Sequence, residues 1–194
     1  EHGFNPELLL LDPYARAALG REGPGLVLDA AWVGRGDRSF ATPAWQDLVI
    51  AEAHVRDLVC HAPIDASPQE RLGFTGLRKW VESPAFHLAH LGVNCVELQP
   101  LHQFDAVTTE EYHWGYMTVN FFAPASGYAL APEKASGVRE LQHLVAAIFR
   151  NESTEGRRLV VDCMGYRKGK DDELRQMALF LGGKAKNTGL AQEI

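Results

Sequence analysis

The sequence has no CxxC pair, no HxH or HExxH spacing, no GxSxG, no GxGxxG and no phosphate-cradling glycine loop. These absences remove the usual signals of a zinc site, a serine hydrolase and a nucleotide enzyme. Cysteine is scarce: Cys60, Cys95 and Cys163 are odd in number and far apart, so they read as reduced, packed thiols rather than as a disulfide framework. Long apolar runs are missing too, since "LLLLD" at 8–12 stops at Asp12 and Pro13, well short of the roughly 20 residues that cross a bilayer. No membrane partner is expected. Basic residues are outnumbered, 19 against 25 acidic, and the net charge of -6 speaks against a phosphate backbone, so no nucleic acid is expected either. There is no internal repeat and no signal-like apolar segment. The chain starts at Glu1 without methionine, and the expectation is a trimmed piece of a larger cytoplasmic protein.

What is present is the composition of a globular protein, 46% hydrophobic and 23% charged over 194 residues, enough to bury a real core. Residues 1–45, with "GREGPG" and "GRGDRSFATP", read as loops draped on a body. "DLVIAEAHV" at 47–55 reads as a strand. In "FTGLRKWVESPAFHLAHLG" the apolar residues recur at helical spacing up to Pro84 and again up to Gly92, and "VNCVELQPL" at 93–101 reads as a second strand. Val138, Leu141, Leu144, Val145 and Ile148 share one face of a helix over 134–149, and "DDELRQMALFLGG" at 171–183 predicts a further short helix. Strand and helix alternate, which predicts an α/β protein with a parallel sheet. "RRLVVDCMGY" fits either a third parallel strand or the start of a helix, and periodicity leaves both open.

In such a protein the reactive groups lie beyond the carboxyl ends of the strands. That directs attention to His54 and Arg56 after the first strand, to His102 and Asp105 after the second, and to "YHWGYMTVNFFAPASGYA" at 112–129. A hydrogen-bonded histidine bracing a loop is the plainer role for His54 and His102. Sugars present flat C–H faces ringed by hydroxyls, so a site for them wants aromatic planes with polar groups at the rim, which Trp114, Tyr116 and His113 provide. The other reading is that the rings plug the end of a barrel, which suits Phe121 and Phe122 better. Gly115 between Trp114 and Tyr116 lets a ligand or chain approach the backbone closely. The adjacent acids Glu110 and Glu111, or Asp171, Asp172 and Glu173, look like solvated charges or a helix first turn, not a catalytic pair on facing elements. No catalytic residue and no metal ligand is assigned.

Four blocks, "FNPELLLLDPYARA", "DLVIAEAHVRD", "LGVNCVELQPLHQFD" and "YHWGYMTVNFFAPASGYA", together resemble glycoside hydrolase family 13, the α-amylase superfamily, and within it the isoamylase, pullulanase and glycogen-debranching branch. The resemblance runs from residue 4 to about 149. It implies that residues 1–45 are a linker leaving an N-terminal carbohydrate-binding sandwich that is itself absent. It also implies that residues 46–194 form part of a (β/α)8 TIM barrel, first strands and helices only. It implies an α-glucan substrate such as glycogen, starch or maltooligosaccharide, bound at Tyr116 by stacking under the sugar, with Trp114 and His113 beside it and His102 nearby. The implied reaction is retaining hydrolysis of α-1,6 links. No cofactor is implied; calcium, which some members bind through an asparagine missing here, finds no assignable ligand. The family's Asp-x-x-x-Asn-His strand end is matched only by Asp162 in "LVVDCMGYR", and its nucleophile, acid/base glutamate and His-Asp pair have no counterpart. "RRLVVDCMGY" also resembles the helix before the family's nucleophile strand, and that reading is preferred here, with strand three missing between about Arg150 and Glu155. The expectation is an inactive fragment; the alternative is a non-catalytic α-glucan-binding or partner protein of the same descent.

Overall fold

The computed structural model describes residue 7 and residues 10–29, 44–108, 110–150 and 160–163. Its centre is a three-stranded parallel sheet in the order β1 (Ile50–Ala53), β2 (Cys95–Leu98), β5 (Val160–Cys163). The register is regular: Glu52 stands level with Glu97, and Glu97 with Asp162. The two sequence strands are therefore parallel neighbours, as their spacing predicts. Residues 160–163 form a third parallel strand, which corrects the preferred helical reading of that stretch. The β-branched pair Val160–Val161 follows a helix and meets the free edge of β2, so ladder pairing decides what periodicity left open.

Between β1 and β2 run α1 (Val55–Val59), α2 (Phe74–Val81) and α3 (His87–His90). α2 stops before Pro84, which cannot continue a helix. Its Phe74, Leu77, Trp80 and Val81 are buried, and they pack with Val96 and Leu98 of β2 and with α4 (Ser136–Arg150) in one core. Val138, Leu141, Leu144, Val145 and Ile148 are all buried, so the stripe read from the sequence is the face α4 turns inward.

The path from β2 to α4 carries an unforeseen excursion. β3 (His102–Phe104) pairs antiparallel with β4 (Thr118–Pro124), forming a second, two-stranded sheet with register shifts on either side of Gln103. Seven residues of the aromatic stretch, Thr118–Pro124, are thus strand rather than loop. Residues 10–29 lie along this hairpin, with Asn120 Nδ2 donating to the Asp12 carbonyl at 3.0 Å, the Gly20 amide donating to Ser126 Oγ at 3.0 Å and Arg21 paired with Asp105 at 3.0 Å. The helix expected at 171–183 lies outside the described residues, as do residues 30–43 and the Arg150-to-Glu155 junction beyond Arg150 itself. Among the described residues, no helix is long and apolar enough to cross a membrane.

Candidate functional site

The carboxyl ends of β1 and β2 meet the turn 110–117, and the contact is built from one short helix. His54 caps α1: its Nδ1 accepts the Arg56 amide at 3.2 Å, which leaves the proton on Nε2. Nε2 faces the His113 carbonyl at 3.1 Å and the Tyr128 hydroxyl at 3.0 Å. His54 is buried, and desolvation, only partly opposed by the His113 carbonyl and the Asp57 carboxylate, lowers its pKa and keeps the ring neutral. It braces the loop, which is the plainer of its two readings. Two residues on, Arg56 is also buried and donates through all three guanidinium nitrogens to main-chain carbonyls. Asp57 accepts the Tyr112 hydroxyl at 2.8 Å.

On this base the turn exposes rings. Trp114 is 63% and Tyr116 51% exposed, so neither plugs a barrel end. Gly115 between them has φ +89°, and a Cβ there would lie 2.5 Å from the Pro100 carbonyl oxygen. The close approach that the sequence allows at this glycine is therefore made by the chain's own β2 terminus. Tyr116 lies near Glu52 and Glu97: partial desolvation first, and these carboxylates second, hold its phenol above the usual pKa, so it remains a hydrogen-bond donor at neutral pH. His113 is half-buried, stacked on Phe104 at 4.8 Å and 8°, with Nδ1 accepting the Gly115 amide at 2.9 Å.

The sequence candidates divide accordingly. Trp114 and Tyr116 are both exposed on the one turn, and His113 accepts the amide of the glycine between them. His102 is placed differently: it is 7% exposed in β3, and burial drives its pKa down to about 3, so it sits as a neutral ring in the wall beside Phe121. Phe121 and Phe122 also depart from expectation. Phe121 is 52% exposed, and Phe122 stacks on Tyr14 at 5.8 Å, because β4 is a thin strand whose outer face no helix covers among the described residues. The ring that does plug the interior is Tyr128, packed edge-on against Phe74 and Phe104. Among the described residues, no group of three or more His, Cys, Asp or Glu is placed to hold a metal ion.

Sequence reasoning missed how much Arg56 holds. Its only signal was position: Val55, Arg56 and Val59 fall on one buried face of a single helical turn, and a cation there must find acceptors.

No family model matches the chain. It is 32% identical to the glycogen debranching enzyme of Yersinia pseudotuberculosis over 176 residues, covering 76% of this chain and 26% of that protein. It is 30% identical to the chloroplastic isoamylase 3 of Oryza sativa subsp. japonica over 207 residues, covering 93% of this chain and 25% of the rice protein. Among solved structures, a pullulanase from Anoxybacillus sp., complexed with maltotetraose, matches with a TM-score of 0.59 at 27% identity, over 78% of this chain and 23% of the pullulanase. The chain belongs to the debranching branch of glycoside hydrolase family 13. Its α/β fold is accordingly that of α-amylase-family TIM-barrel enzymes. This family-13 chain spans about a quarter of the length of the rice and Yersinia relatives it matches.

Proposed function

We propose that the chain forms the first three strands of a debranching-type (β/α)8 barrel and the aromatic floor of its α-glucan cleft. The α-1,6 hydrolysis itself would be carried out with carboxylates from sequence outside this chain. The observation that carries the reading is the exposed Trp114–Gly115–Tyr116 turn, seated on Pro100 where β1 and β2 end. Two half-open rings there can each cover one sugar face, while the Tyr116 phenol and nearby Glu52 and Glu97 offer hydrogen bonds to hydroxyls. A pullulanase that binds maltotetraose shares the fold, which supports the same ligand class here.

A whole barrel takes about 250 residues, and this chain has 194. The stretch matched to the rice isoamylase, 207 residues, is longer than the chain, which supports residues interposed in the relatives that are lacking here. The test is a maltotetraose titration followed by tryptophan fluorescence. Saturable quenching is expected, and Tyr116→Ala should weaken binding by about 1 kcal/mol or more, the scale of a lost aromatic stack. An unchanged affinity in Tyr116→Ala removes the stacking role.

A further inference from the structure

We propose that Arg56 is the positioning residue of the Trp114–Tyr116 platform, fixing its place through the main-chain carbonyls it holds and not by touching a ligand. Its Nε donates to the Leu72 carbonyl at 3.0 Å, Nη1 to those of Glu110 at 3.2 Å and Glu111 at 2.7 Å, and Nη2 to that of Gly127 at 3.0 Å. The guanidinium also lies over the Tyr128 ring, 5.4 Å from its centroid. Glu110 and Glu111 stand immediately before the aromatic part of the excursion, and Gly127 stands three residues past the end of β4. One side chain therefore ties both ends of the excursion to the turn that follows β1, and adds Leu72 from the turn before α2. Fixing both ends of a segment removes most of its conformational freedom before a ligand arrives, which lowers the ordering cost of binding.

The geometry requires arginine. A planar fork reaches acceptors in several directions at once, whereas a lysine ammonium radiates its three donors from a single point and cannot span acceptors on both ends of the excursion and on the turn before α2. The neighbouring tethers are smaller: His54 holds one carbonyl and the Tyr128 hydroxyl, and Asp57 one exposed hydroxyl. That the platform's ligand is a glucan rests on the function proposed above; that Arg56 places the platform does not.

The experiment compares the wild-type chain with Arg56→Lys by amide hydrogen exchange, resolved for 110–117 and for α4, together with maltotetraose titration. Arg56→Lys should lower protection across 110–117 by at least about tenfold, the scale of losing charge-assisted hydrogen bonds, with α4 unchanged. Maltotetraose affinity should fall by about tenfold in the same variant. Equal loss of protection in α4 and in 110–117 would reduce Arg56 to a general stabiliser and overturn the assignment, as would unchanged protection in 110–117. Should Arg56→Lys not fold, Tyr112→Phe decides: it removes the Asp57 tether at a half-exposed ring, and protection of 110–117 should stay within about twofold of wild type. A tenfold loss there would make the Asp57 tether the controlling one and overturn the proposal. If the exchange pattern holds but the wild type gives no maltotetraose response, the positioning role stands and the glucan reading falls.

Discussion

Replacing Gly115 by alanine tests whether the aromatic turn rests on the end of β2. Two costs add at this position. The first is conformational: φ of +89° lies where a Cβ is disfavoured, at about 1–2 kcal/mol. The second is steric: the new carbon would stand 2.5 Å from the Pro100 carbonyl oxygen and 3.2 Å from Pro100 Cβ, and relieving such a contact against backbone typically costs about 1–3 kcal/mol. Gly115→Ala should therefore destabilise the chain by about 2–5 kcal/mol, a large part of a domain's usual margin of roughly 5–15 kcal/mol. Gly20 supplies the control, because it also has positive φ, +66°, but nothing within 4 Å of a built Cβ. Gly20→Ala should then show only the conformational cost, about 1 kcal/mol. Urea denaturation of the two variants and the parent, at fixed temperature and pH, gives the comparison. Equal losses for Gly115→Ala and Gly20→Ala would mean that the Trp114–Tyr116 turn does not sit on Pro100, and the seat of the platform would have to be sought elsewhere.

Stability should fall as pH drops below about 6.5, because unfolded His102 takes up a proton near that value while the folded ring resists until about 3. The loss is up to about 1.4 kcal/mol per pH unit; His54, also lowered, acts in the same direction. Urea midpoints from pH 7 to 5 should show a shallower slope in His102→Gln, and an unchanged slope would refute the assignment. Glu140 accepts from the Leu130 amide at 3.0 Å, the Thr75 hydroxyl at 3.0 Å and the Ser136 hydroxyl at 2.5 Å, joining α2, α4 and the chain leaving β4. Glu140→Ala should cost about 1–3 kcal/mol in the same assay; a loss below about 0.5 kcal/mol, the scale of an ordinary surface change, would show that these bonds contribute little. Release of reducing ends from a branched glucan by this chain alone should stay at background, and turnover would place the catalytic groups within it.

What the sequence made legible was whatever repeats with a period. β1 and β2 stand out within short apolar runs on either side of a helical stretch, and the inward stripe of α4 is stated by five residues at helical spacing. The β3–β4 hairpin was not legible. β3 is three residues long directly after Pro100 and Leu101, and β4 does not alternate cleanly between buried and exposed positions, because its ladder is irregular. His102 illustrates the consequence: a histidine just past a strand looks available, yet the first residue of an unforeseen strand is walled in. For Trp114 and Tyr116 the residue types pointed to a sugar-binding surface, but their openness depends on where Gly115 meets Pro100, a contact between distant parts of the chain. The Arg56 anchors are still less readable, since a main-chain carbonyl accepts whatever residue carries it.

The spatial order of the central strands is also the order in which a ribosome delivers them. Each newly made strand finds the previous one waiting at the rim, and β3 and β4, set aside in a sheet of their own, do not interrupt the sequence. A sheet laid down this way can grow outward during synthesis without any strand having to be inserted between two already joined.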